Sequence, residues 1–315
     1  MSENPTKLGT GVRLSRRTAL KLLFAAGVAS RWDITQAVDS DAILRRRIPI
    51  TGEMIPAVGL GTSDEFETDN DQSLEPLREV LRRFVDAGGT LVDTAPIYGN
   101  AESVIGKLIT ELGITQRLFV ATKVRTYGKQ AGIEQMQTSE LLLNKRPLDL
   151  IQVHSLVDVE TQLQNLRSWK DAGRVRYIGI THSRVSAFGE LERLMQKEQL
   201  DFVQLNYSFT EPDAEQRLLP LAADKGIAVL ANRPFQNGAM FRQVKGKPLP
   251  AWASEFDCKS WAQFSLKYIL AHPAVTCVIP ATSNPKHLVD NMGAGVGRLP
   301  DKSTLRRMRE YVASL

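Results

Sequence analysis

The chain has 315 residues, 43% of them hydrophobic and 24% charged, with a formal net charge of +5. That length and composition allow one large core without division into several domains. Cys258 and Cys277 are the only cysteines, which excludes a disulfide framework. The histidines at 154, 182, 272 and 287 lack metal-ligand spacing, so no metal site is expected.

In chain order, the first element is an address. Ser15-Arg16-Arg17-Thr18-Ala19-Leu20-Lys21 precedes the apolar stretch Leu22 to Ala29. Paired arginines before a short apolar stretch read as a twin-arginine (Tat) export signal; the alternative is an amphipathic terminal helix. Residues 1–37 are therefore assigned to the signal and its linker and 38–315 to the folded domain, with cleavage after Ser30 or Ala37. The stretch is far short of the roughly 20 residues that span a bilayer, so no stable membrane anchor is expected. The expected partner is the Tat machinery, and the expected location is the periplasm or the exterior after folding in the cytoplasm. In the part removed, Lys7, Arg13, Arg16, Arg17 and Lys21 outweigh Glu3 by four, so +5 falls to +1. Nucleic-acid binding then has no support. A monomer or small homo-oligomer is expected.

Beyond the leader, Arg47 to Ile55 reads as a hairpin. Eight apolar runs follow near 57–62, 90–95, 118–124, 148–154, 176–182, 202–207, 228–233 and 275–281. Between them lie helical patterns such as Leu74-Leu77-Val80-Leu81-Phe84-Val85 and Leu163-Leu166-Trp169. Gly88, Gly113, Gly173 and Gly226 stand where helices end. Strand and helix in unbroken alternation predict a closed parallel (β/α)8 barrel, with an open doubly wound sheet as runner-up. Pro234 to about Lys259 reads as a lid or clasp.

Three runs carry charged or polar breaks. Strand side chains alternate, so Leu91, Asp93 and Ala95 share a face, as do Phe119, Ala121 and Lys123, and Leu150, Gln152 and His154. A buried charge is costly unless paired or used. With Tyr98 just beyond, an acid, an amine, a phenol and an imidazole converge at carboxyl ends of strands, where barrel enzymes hold their chemistry. The bland reading is a buried Asp–Lys pair with an incidental Tyr and His.

Val58-Gly59-Leu60-Gly61-Thr62, Gly89 to Ala95, Asp149 to His154, Arg176 to Ile180, Val203 to Tyr207 and Ile279 to Asn284 together resemble the aldo-keto reductase family. The likeness covers roughly residues 43–295. It implies a (β/α)8 barrel capped below by a hairpin, with the family's Asp, Tyr, Lys and His falling on Asp93, Tyr98, Lys123 and His154. The reaction it implies is hydride reduction of a carbonyl, which needs a proton donor: Tyr98 is the candidate, Lys123 would favour its phenolate, Asp93 would fix Lys123, and His154 would orient the carbonyl. It further implies NADP(H), ahead of NAD(H), lying extended across the barrel mouth. Thr181 and His182 occupy the family's Ser-Asn pair at the nicotinamide carboxamide, with Gln204 the third contact. Asn232 stands near where many members stack an aromatic on the ring, with Phe235 compensating. Ser283-Asn284-Pro285-Lys286 reads as a capped helix start with Pro285 in its first turn, whose free N–H groups favour phosphate, and Thr282 just before it is counted among the cofactor contacts. By resemblance this segment holds the 2′-phosphate, with His287 in a usually basic position, Lys286 beside it, and Asp290 and Asn291 on the adenine side.

Phe66, Tyr127, Phe235 and Trp252 are candidate pocket aromatics. The leading function is carbonyl reduction to an alcohol. Against it stand a cofactor-binding regulator akin to potassium-channel β-subunits, and a hydrolase with paired carboxylates, for which the strand ends supply no second acid.

Overall fold

A computed structural model describes residues 42–68, 70 and 74–315. Residues 1–37, read as an export signal, lie outside the described residues.

The hairpin comes first: β1 (Arg45–Arg47) pairs antiparallel with β2 (Met54–Pro56). Eight parallel strands follow: β3 (Leu60–Gly61), β4 (Leu91–Asp93), β5 (Phe119–Val124), β6 (Leu148–His154), β7 (Val175–His182), β8 (Phe202–Asn206), β9 (Ala228–Asn232) and β10 (Val275–Val278). They run in sequence order across the sheet. Parallel bridges Val58↔Val278 and Gly61↔Ala281 join first strand to last, closing the barrel. The open doubly wound sheet is thereby set aside.

Helices cover the outside: α1 (Leu74–Asp86), α2 (Ala101–Glu111), α3 (Lys129–Leu142), α4 (Val159–Asp171), α5 (Phe188–Lys197), α6 (Leu218–Lys225), α7 (Ala239–Gln243), α8 (Trp261–Leu270), α9 (Pro285–Gly293) and α10 (Lys302–Ala313). The apolar stripe read from the sequence of α1 is the set of residues it buries. All four helix-ending glycines have positive φ, a conformation that side-chain-bearing residues adopt reluctantly.

Strand alternation divides the core in two. Val92, Val120, Ile151 and Val203 face the helices. Leu91, Phe119, Leu150, Tyr177, Phe202 and Leu230 fill the barrel interior together with Ile48 and Ile55 of the hairpin. The hairpin thus plugs the amino end, and Tyr177 ties it down through hydrogen bonds with Thr51 (2.8 Å) and Glu53 (2.7 Å). Further along the same inward faces the residues turn polar. That end carries the site.

Candidate active site

Asp93 is the last residue of β4, Lys123 the penultimate residue of β5 and His154 the last of β6. Tyr98 comes from the turn after β4, where its N–H donates to Ala95 O and its carbonyl accepts from Ala101. The structure brings all four together. The Lys123 ammonium is fully buried and donates to Asp93 Oδ2 and to Thr94 O, both at 2.7 Å. It also lies 4.9 Å from the Tyr98 ring centroid. The Tyr98 and His154 rings meet edge to face, 6.0 Å between centroids.

Burial would lower the Lys123 ammonium, but Asp93 and Tyr98 together hold it above the usual lysine value. Tyr98 departs from the sequence expectation. Burial raises its phenol, and Lys123, though pulling downward as anticipated, does not offset that. The phenol therefore holds its proton firmly. Burial, with Lys123 and Arg125 adding to it, pushes the His154 imidazole down to about 3. His154 is neutral near pH 7.

A polar chain runs on around the rim. Gln204 donates to Asp93 Oδ1 at 2.8 Å, while its carbonyl accepts from Thr181 (3.1 Å) and Asn232 (3.3 Å). Asn232 Oδ1, Thr94 Oγ1 and His154 Nδ1 are buried without a hydrogen-bond partner. Such orphaned atoms carry a cost unless a bound molecule satisfies them. A carboxamide, which donates and accepts, suits Asn232 Oδ1 and the Thr181–Gln204 pair, so these residues fit a nicotinamide.

Asp93, Tyr98, His154, Thr181, Gln204, Asn232 and Phe235 line one cleft of about 310 Å³. Phe235 also lines a neighbouring cleft of about 740 Å³ with Thr282, Ser283, Asn284, His287, Asp290 and Asn291. The two clefts share Phe235 and Ala281 as walls and so adjoin as a trough. His182 turns aside, its Nδ1 accepting from Arg184 N–H at 3.2 Å. Lys286 is exposed. Asp290 Oδ1 is taken by Gln263 at 2.8 Å.

Of the candidate pocket aromatics, only Phe235 lines the trough. Phe66 is fully buried, Tyr127 is 76% exposed, and Trp252 packs against Phe256, Phe264 and Tyr311. Aromatic character alone does not tell scaffold from pocket. Ile97 and Arg233 line the first cleft and were not singled out from the sequence. Pro234 to Lys259 is folded over α7 and a 3₁₀ segment, Ala251–Phe256, rather than being one open loop. Among the described residues no cluster of His, Cys, Asp or Glu could hold a metal ion.

The sheet, its closure and this constellation place the chain among barrel oxidoreductases. The aldo/keto reductase family model matches residues 57–310, and the chain belongs to that family. It is 30% identical to aldo-keto reductase YhdN of Bacillus subtilis, over 57% of this chain and 58% of that one. It is 27% identical to methylglyoxal reductase YeaE of Escherichia coli, over 78% and 88%. An aldo-keto reductase of Klebsiella pneumoniae, solved with NADP and acetate, superposes with a TM-score of 0.73 at 22% identity, covering 86% of this chain and 96% of that one.

Proposed function

We propose that this protein reduces an aldehyde or ketone to an alcohol with NADP(H), and that it is exported after folding. The observation that carries the chemistry is the buried Lys123–Asp93 pair beneath a phenol that faces the trough. Family membership supports it, as do the names of relatives and the cofactor in the Klebsiella enzyme. A bound nicotinamide cofactor supplies the hydride. Thr181, Gln204 and Asn232 would hold its carboxamide, and the residues from Thr282 to His287 its phosphate.

This chain's own residues manage the proton. As charge develops on the carbonyl oxygen, Tyr98 delivers its proton there. Lys123 then stabilises the phenolate left behind, and Asp93 keeps the ammonium in place. Neutral His154 orients the carbonyl by hydrogen bonding without competing as an acid.

The test is Tyr98→Phe, assayed with NADPH against a panel of aldehydes, ketones and sugars. Turnover should fall by at least about a hundredfold while cofactor binding persists. Near-wild-type turnover in the variant would remove the proton-donor assignment. A wild type that binds cofactor but turns over nothing in the panel favours a regulatory role instead.

A further inference from the structure

At the start of α9 most of the donors that its sequence suggests are already taken. Pro285 has no N–H. The Asn284 N–H is taken by Thr282 Oγ1 at 3.1 Å and the Lys286 N–H by Asn284 Oδ1 at 2.9 Å. Both acceptors are local caps. The third donor set is different. Ser283 gives both its N–H (2.8 Å) and its hydroxyl (2.5 Å) to one oxygen, Oε2 of Glu65. Glu65 lies 218 positions away in the chain, on the loop after β3.

That loop is firmly set. Thr62 O accepts from the N–H groups of both Glu65 and Phe66, Thr62 Oγ1 donates to Asp93 O at 2.9 Å, and Phe66 is fully buried. The carboxylate is therefore presented across the trough by an anchored turn. It lines the same cleft as Ser283, Asn284 and His287. An oxygen anion accepting from a backbone N–H and a hydroxyl at a helix start is the arrangement a phosphate oxygen would make there.

We infer that Glu65 is an internal anion in the seat of the cofactor's 2′-phosphate, and that it selects against NADPH relative to NADH. The inference rests on the cofactor reading above. To use Ser283, a 2′-phosphate must displace the carboxylate or lie beside it, and like charges at such range repel. NADH carries no group there and meets no such opposition. Lys286 and His287, both exposed on the first turn, supply the counterbalancing positive or polar side chains.

The experiment compares dissociation constants of NADPH and NADH, by fluorescence titration, for wild type, Glu65→Gln and Glu65→Ala. Titrations with 2′,5′-ADP and 5′-AMP isolate the adenosine end without any dependence on turnover. Glutamine keeps an acceptor for Ser283 and removes the charge; alanine removes both and covers the case in which glutamine perturbs the turn. NADPH and 2′,5′-ADP should tighten by about tenfold or more, with NADH and 5′-AMP nearly unchanged. Equal tightening of all four, or none, would overturn the inference while leaving the cofactor reading intact. Failure of wild type and variants alike to bind either dinucleotide would remove both.

Discussion

At the scale of single residues, the site depends on keeping three ionisable groups in unequal states. Lys123 is charged because Asp93 accompanies it into the interior. Tyr98 is neutral because burial outweighs the pull of Lys123, and His154 is neutral because burial and nearby cations depress it to about 3. A depressed histidine binds its proton only in acid, so its charge change falls well below the ordinary histidine range. The raised phenol loses its proton above the ordinary tyrosine value of about 10. The pH profile of kcat/KM for reduction should therefore show no limb between about pH 5 and 9 from either group. A limb near the ordinary histidine value of about 6.5 that disappears in His154→Gln would show that His154 titrates there and is not held neutral. For stability the sign runs the same way. His154 binds more protons unfolded than folded below about pH 6.5, so its contribution is full above that and lost as the pH falls. Strand alternation alone put Asp93, Lys123 and His154 on inward faces. Glu65 and Ser283 were not legible as partners, since 218 positions separate them and no periodic pattern joins a loop to a helix start.

At the scale of elements, some helices are held by apolar stripes, whereas α3 is held by close approach. The buried positions of α1 and α4 follow the expected spacing. Helix α3 buries only Gly132, Met136, Ser139 and Glu140, so it offers no stripe to read. What seats it instead is polar. Buried Glu102 of α2 accepts from Thr122 of β5 (2.5 Å) and Ser139 of α3 (3.1 Å), tying two helices to the barrel wall. Its carboxyl is raised by burial, though both hydrogen bonds pull the other way. The same seam brings α2 onto the end of α3 so tightly that a Cβ at Gly106 would lie 1.8 Å from Leu142 O. Glycine ordinarily weakens a helix interior by up to about 1 kcal/mol relative to alanine, but here the space does not exist. Gly106→Ala should therefore destabilise the fold by about 2–4 kcal/mol, read as a lower urea midpoint. A neutral or stabilising outcome would show that α3 can shift away without cost. Sequence periodicity could not have shown this, because a missing side chain leaves no mark in a hydrophobic pattern.

At the scale of the whole molecule, the barrel has one apolar, plugged end and one polar, open end. The plug comes from the hairpin that precedes the first barrel strand: Ile48 and Ile55 enter the interior, and Leu44 N–H bonds Gly295 O at 2.7 Å. Eight alternating runs made this architecture legible, since parallel strands linked by helices close a barrel with few alternatives. The first strand, β1, begins at Arg45, beyond both candidate cleavage positions, Ser30 and Ala37. A cut at either place would leave every described strand and helix intact, as the proposed export of a folded protein requires. Replacing Arg16 and Arg17 with Lys preserves the charge of the leader and removes the paired guanidinium groups that define a Tat signal. The double variant should accumulate, folded and active, in the cytoplasmic fraction while the wild type reaches the periplasm or medium. Undiminished export of the Lys-Lys form would overturn the address, whereas export lost together with activity would instead indicate a folding defect.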